Sequence, residues 1–199
     1  EEKLRQSKER FVGGDWKLFH FYEVLSAGHV VEHAPIESDW LGVIASFQPF
    51  HANPDPSMST VWSENIGPER AAHGWQWHSI EKAGARLTFG SDWPVVTMDP
   101  RVGLQVAVNR LSPKGEPAGG WLPDQKLPLK AAIDGYTSGA AYASFDEQRK
   151  GTLTRGMLAD MVILSTDIFA APPERVLDAK VDVTIFDGKV VYNRAEAGT

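Results

Sequence analysis

The sequence contains no cysteine. That excludes a disulfide scaffold and thiolate chemistry, and leaves the compartment open. No apolar run approaches the roughly 20 residues a membrane-spanning helix requires. No basic stretch is present either. Lys and Arg number 20 against 26 Asp and Glu, a net charge of −6 that offers nucleic acid no electrostatic footprint. The first residues, Glu1-Glu2-Lys3-Leu4-Arg5, lack the basic-then-apolar order of a signal peptide. The expectation is a cytoplasmic protein with no nucleic-acid or membrane partner. An initiator Met is also missing, as in a chain that begins partway through a longer one. Three common catalytic signatures are absent: the Gly-x-Ser-x-Gly elbow, the phosphate loop and the dinucleotide-binding glycines.

What is present suits a globular α/β chain. Its 199 residues are 42% hydrophobic, enough for one domain or somewhat more with a real core. Trp16 to Leu25 is rich in aromatics and reads as either helix or strand. His29-Val30-Val31-Glu32-His33 reads as a short strand stopped by Pro35. Gly42-Val43-Ile44-Ala45-Ser46-Phe47 is a continuous apolar run of the kind buried in parallel sheets. The connection between these two is short for a crossover, which usually takes about a dozen residues. Pro68 to Lys82 predicts a helix ended by Gly84. Leu87-Thr88-Phe89 predicts a strand that Pro94 must end.

Asp99-Pro100 predicts a capped helix start, with Leu104, Ala107, Val108 and Leu111 on its apolar face. Ser112 to Pro128 reads as a loop, and Leu129 to Ala143 as a second helix with Ala132, Ile133, Tyr136 and Ala140 on one face. The character changes near Lys150. Met161–Leu164, Val181–Phe186 and Lys189–Tyr192 predict strands, the last two joined by an Asp187-Gly188 hairpin turn.

Polar groups follow successive strands: His33, then Gln48 and His51, then Asp92. In a parallel sheet these tips share one end, where α/β enzymes place their chemistry. Imidazole and carboxylate both suit Zn²⁺, and a carboxylate there can take a proton from metal-activated water. Each residue also has a plainer reading. Asp92 can cap a turn, His33 can hydrogen-bond at a strand end, and His51 can be a solvated residue of a Pro-rich loop. His73 and His78 point to different helix faces and read as surface or packing residues. Trp62, Trp75, Trp77 and Trp121 read as packing, and Arg110 as a cation favoured at a helix C-terminus.

As an ordered set, the segments Val31-Glu32-His33-Ala34, Gly42 to Phe47 with Gln48-Pro49-Phe50-His51, and Phe89-Gly90-Ser91-Asp92-Trp93-Pro94-Val95 resemble the amidohydrolase superfamily. More narrowly they resemble its amidohydrolase-3 branch, which includes YtcJ-like proteins and N-substituted formamide deformylases. Ala107-Val108-Asn109-Arg110, Tyr136-Thr137-Ser138-Gly139-Ala140-Ala141-Tyr142, Lys150-Gly151-Thr152-Leu153, Gly156 to Leu164 and Asp187 to Tyr192 resemble later segments of that branch. The match runs from about residue 30 to the C-terminus.

The resemblance implies the C-terminal strands of a (β/α)₈ barrel over residues 1–149 and a small β-sandwich lobe segment over 150–199. It implies hydrolysis of non-peptide carbon–nitrogen bonds of amide or formamide type, using a divalent metal, most simply zinc. By position, His33 would be a metal ligand and Asp92 a metal ligand or the base for the attacking water. Gln48 and His51 would lie near substrate, and Arg110 would be a weaker pocket residue.

Departures from the pattern are as informative. The first-strand His-x-His pair is not in these residues, and the His-x-x-Gly-Asp motif survives only as the Gly-Asp of Phe11-Val12-Gly13-Gly14-Asp15. A full barrel takes ~250 residues. The alternative expectation is therefore a non-catalytic, truncated or degenerate fragment. The partners to expect are a small amide-type substrate and either a missing N-terminal half or a second copy covering the open strand edges.

Overall fold

The computed structural model describes residues 44–55 and 61–197 in full, and the backbone of residues 19–20. Two small sheets organise these residues. The first is parallel, in the order β1 (Phe19–His20), β2 (Ala45–Phe47), β3 (Leu87–Phe89). Its register pairs Phe19 with Ala45, then Ala45 with Leu87 and Phe47 with Phe89. The apolar run before Gln48 is thus a central strand, as its lack of alternation predicts. Its parallel neighbour in the described residues comes from the aromatic segment around Phe19. The strand expected at His29–His33 lies outside the described residues.

β3 is buried along its whole length. A helical stretch packs on it: α5 (Leu129–Asp134), a π-helical turn (Gly135–Gly139) and α6 (Ala140–Ala143). Small residues allow this approach. A Cβ on Gly135 would lie 2.7 Å from the Phe89 ring, and one on Gly139 would lie 2.1 Å from the Leu87 carbonyl oxygen. The helix meets β3 on its glycines, at the Phe89 ring and at the Leu87 backbone, so the expected face of Ala132, Ile133, Tyr136 and Ala140 is only part of its contact.

α1 (Val61–Ile66), α2 (Pro68–Ala71) and α3 (Trp77–Lys82) lie between β2 and β3. The single helix expected over residues 68–82 is two helices. Trp75 sits at a φ of 49°, which a right-handed helix cannot carry, and its ring packs edge-on against Trp62 and Trp121. Tertiary packing of the indole overrides the helical pattern.

α4 (Pro100–Asn109) begins as the sequence requires: the Asp99 side chain accepts from the Arg101 N–H at 3.0 Å and Pro100 follows the cap. It is buried on more than the predicted face. Gln105 and Asn109 are interior as well, because the helix packs on the turn after β2 and on the Pro173–Asp178 3₁₀ segment. Asn109 Nδ2 donates to Gln105 Oε1 at 3.0 Å and to the Pro173 carbonyl at 2.8 Å, so the buried amides are satisfied.

The second sheet is antiparallel, in the order β4 (Met161–Leu164), β5 (Val181–Phe186), β6 (Lys189–Asn193). Asp187 and Gly188 both take positive φ, 49° and 73°, the hairpin geometry their dipeptide predicts. Met161 and Ile163 pair with Ile185 and Val183, placing one apolar set on one face. No residue of these three strands is fully buried. The described residues therefore form an α/β unit carrying a single three-stranded β element.

The glycine contacts make a test of sign possible. Gly→Ala in a helix interior ordinarily gains up to about 1 kcal/mol. Gly139→Ala is expected instead to lose about 1–3 kcal/mol, the usual cost of overpacking. Urea unfolding of both proteins decides it, and an unchanged or raised midpoint would refute the packing.

Candidate functional site

Two neighbouring strands deliver the site. After Phe47 the chain enters a 3₁₀ turn, Pro49–Ala52, in which Pro49 presets the backbone and His51 is buried. The His51 N–H donates to the Gln48 carbonyl at 3.0 Å and the Asn53 N–H to the Phe50 carbonyl at 2.9 Å, which fixes the turn. After Phe89 the Gly90 N–H still donates to the Phe47 carbonyl at 3.1 Å, so the two strands stay together to their tips. Asp92 then leaves the sheet at a φ of 59°, and its carbonyl accepts from the Val95 N–H at 2.8 Å. An acid in the left-handed region tolerates that turn better than a β-branched residue would.

These turns bring His51 Nε2 to 3.7 Å from Asp92 Oδ2, with His51 6% and Asp92 48% exposed. The histidine forms the inner wall and the carboxylate faces solvent. Burial lowers the His51 pKa, and the nearby Asp92 carboxylate only partly opposes this. The imidazole is thus neutral at neutral pH, the form that ligates metal or accepts a proton. A neutral imidazole facing a carboxylate is a donor pair that fits a divalent metal. Among the described residues, no group of three or more His, Cys, Asp and Glu could hold one ion together.

The structure places the other expected site residues as follows. Gln48 lies half-buried at the tip of β2, at the mouth of the same turn. His33 lies outside the described residues. Arg110 is fully buried and takes the left-handed C-cap position of α4. Its guanidinium stacks over Trp77 at 4.4 Å and over Trp121 at 5.2 Å, and Nε donates to the Trp121 carbonyl at 2.8 Å. Burial pushes its pKa down to about 9, still above neutrality, so the cation persists among the rings. Arg110 thus serves the core rather than an open pocket.

Asn53 was not signalled by the sequence. It is 4% exposed at the end of the His51 turn, and its Oδ1 has no hydrogen-bond partner among the described residues. An Asn within Asn53-Pro54-Asp55-Pro56 looks like ordinary turn chemistry, which hides its burial.

Burial of a neutral histidine links stability to pH. The unfolded imidazole titrates near 6.5 and the folded one lower, so below 6.5 the unfolded chain binds the proton better. Stability contributed here is complete above that value and falls on acidification, by at most about 1.4 kcal/mol per pH unit. Urea midpoints at pH 7.5 and 5.5 should drop more for the wild-type chain than for His51→Gln. Equal drops would show that His51 is not buried neutral.

Known proteins share this arrangement of segments. The model of the amidohydrolase family matches residues 38–192. Protein LONG AFTER FAR-RED 3 of Arabidopsis thaliana is 32% identical over 172 residues, covering 86% of this chain and 28% of that protein. The putative amidohydrolase YtcJ of Bacillus subtilis (strain 168) is 30% identical over 132 residues, 66% of this chain and 25% of its own. The N-substituted formamide deformylase of Arthrobacter pascens is 28% identical over 116 residues, 58% of this chain and 21% of its own. The chain therefore spans about a quarter of the length of the curated relatives it matches. Among solved structures, an uncharacterized metal-dependent hydrolase from Pyrococcus horikoshii OT3 superposes with a TM-score of 0.54 at 28% identity, over 69% of this chain and 27% of that one. With the family model matching most of its length, the chain belongs to the amidohydrolase family, in the amidohydrolase-3 branch.

Proposed function

We propose that this chain is the C-terminal part of a metal-dependent hydrolase of non-peptide carbon–nitrogen bonds, acting on small amides or formamides. The observation that carries the reading is the His51–Asp92 pair at the shared tips of β2 and β3. The family match supports the reaction class, and the deformylase relative supports the formamide substrate. In this reading the described strands belong to a (β/α)₈ barrel and β4–β6 to a β-sandwich lobe. The strands that would close the barrel come from a further segment or a second copy.

His33 and Asp92 would hold the metal, most simply zinc. When bound, it supplies Lewis acidity toward the substrate carbonyl and lowers the pKa of water to about 7. Asp92, half-exposed, takes the proton from the attacking water and returns it to the departing nitrogen. Its left-handed turn holds the carboxylate at the mouth through each transfer. Gln48 orients the substrate amide with its own carboxamide, and His51 forms the dry wall behind Asp92.

A second reading, a non-catalytic fragment, is favoured by ligand count: His33 and Asp92 are two ligands, where a catalytic zinc site typically has three from the protein. Formate release from a panel of N-alkylformamides by the zinc-supplemented chain separates the two. Catalysis is expected to fall by at least about 10²-fold in Asp92→Asn, the loss typical of removing a positioned acid–base group. No release above background from zinc-loaded wild-type chain would establish the second reading.

A further inference from the structure

We propose that the loop after Asp92 is the subsite for the substituent on the substrate nitrogen, and that this substituent is apolar and uncharged. The proposal deepens the hydrolase reading of the site and rests on it. The loop runs from Asp92 to the cap of α4, and three of its side chains are large, apolar and open to solvent. Trp93 is 63% exposed, Val95 68% and Met98 67%. One such residue would need no explanation. Three within six residues, beside a half-exposed carboxylate, make a patch of the kind that receives a ligand.

The two ends of the loop place it on the rim of the site. Its first residue, Asp92, faces His51 at 3.7 Å. Its last leads into α4, which packs on the turn that carries His51. Trp93 follows Asp92 directly, with about 3.8 Å between their Cα atoms, and lies inside the turn that the Val95 N–H closes on the Asp92 carbonyl. The Trp93 N–H donates to Ser91 Oγ at 3.2 Å, and the Asp99 N–H to Thr97 Oγ1 at 3.2 Å. A loop tied along its length presents these side chains with little left to order on binding.

Residue type sets the class of substituent. Among residues 90–100 the only charged side chains are Asp92 and Asp99. Arg101, the next residue, spends its guanidinium on the Asp99 carboxylate and the Ala179 carbonyl. The loop thus offers an anionic substituent no cation, and the Asp92 carboxylate repels it. An indole, a valine and a thioether instead suit alkyl or aryl carbon. That carbon is attached to the departing nitrogen, the atom to which Asp92 returns the proton.

Fluorine NMR of the full chain labelled with 5-fluorotryptophan tests this, with N-butylformamide, N-methylformamide and N-formylglycine as probes. The Trp93 resonance is assigned by its loss in Trp93→Phe. It is expected to shift with N-butylformamide at concentrations at least about 10-fold below those needed with either other probe, since the extra methylenes are buried. An equal response to N-formylglycine would overturn the apolar class. Formate release, measured on the same samples with zinc, separates the subsite from the hydrolase reading. Release from N-butylformamide with an unmoved Trp93 signal would overturn the subsite and leave the hydrolase reading standing. A selective shift without release would keep the subsite and remove catalysis by this chain. No shift and no release would overturn both.

Discussion

The indole of Trp77 ties together every element that positions the site. It is completely buried, and it meets Phe47 of β2 edge-on at 6.0 Å and Phe89 of β3 at 6.1 Å. The Arg110 guanidinium covers it from α4. Its Nε1–H donates to the Gln125 carbonyl, so its one polar atom is satisfied. Each aromatic contact adds about 0.5–1.5 kcal/mol beyond burial, and a desolvated cation–π pair about 2 kcal/mol. Because Phe47 and Phe89 are the last residues of their strands, this stack acts where the chain turns toward His51 and Asp92. Tyr136 continues the layer against Phe89 at 5.4 Å, with burial raising its phenol pKa so that it stays neutral. Trp77, Arg110 and Tyr136 thus come from segments far apart in sequence; Trp77 and Tyr136 meet the strand ends directly, and Arg110 through Trp77.

What was legible in the sequence follows from how local each signal is. Asp99-Pro100 and Asp187-Gly188 specify their structures through contacts within a few residues, and both appear as read. The Leu87–Phe89 strand was legible because Leu87, β-branched Thr88 and Phe89 all suit a buried strand and a glycine and a proline follow. The break at Trp75 was legible only as a weak signal, Gly74; the left-handed residue is the tryptophan itself, held in a cluster assembled from residues 62, 75 and 121. The same limit applies to Arg110. Its place at a helix end was readable, but the ring faces that surround it come from residues 33 and 11 positions away.

The site divides along the same line. Asp92 was legible as a strand-end acid, because strand, glycine and proline are contiguous around it. His51 was less so. Beside Pro49 and a Pro-rich loop it looks like a solvated residue, yet it is interior, because the 3₁₀ turn folds back against α4. Resemblance placed His51 near the substrate; its distance to Asp92 places it at the carboxylate. Pairing across a parallel sheet depends on register, and register is set by the strands rather than by the turns that carry the functional groups.

The elements that hold His51 and Asp92 occur within residues 44–55 and 77–139: the two strands, Trp77, α4 and the glycine-bearing helix. The antiparallel sheet contributes none of these contacts. The Pro173–Asp178 segment that precedes its central strand is joined to α4 by buried Val176 and Ala179 and by Arg101 Nη1 to the Ala179 carbonyl and Asn109 Nδ2 to the Pro173 carbonyl, each at 2.8 Å. Both links start from α4, whose inner face supports the His51 turn. The Pro173–Asp178 segment before the last hairpin and the His51 turn therefore both pack on one helix. Helix α4 is held by its Asp99 cap at one end and by the Arg110–Trp77 stack at the other. The outer sheet, which exposes apolar side chains such as Ile163 and Val190, lies apart from the strands that carry the two donors.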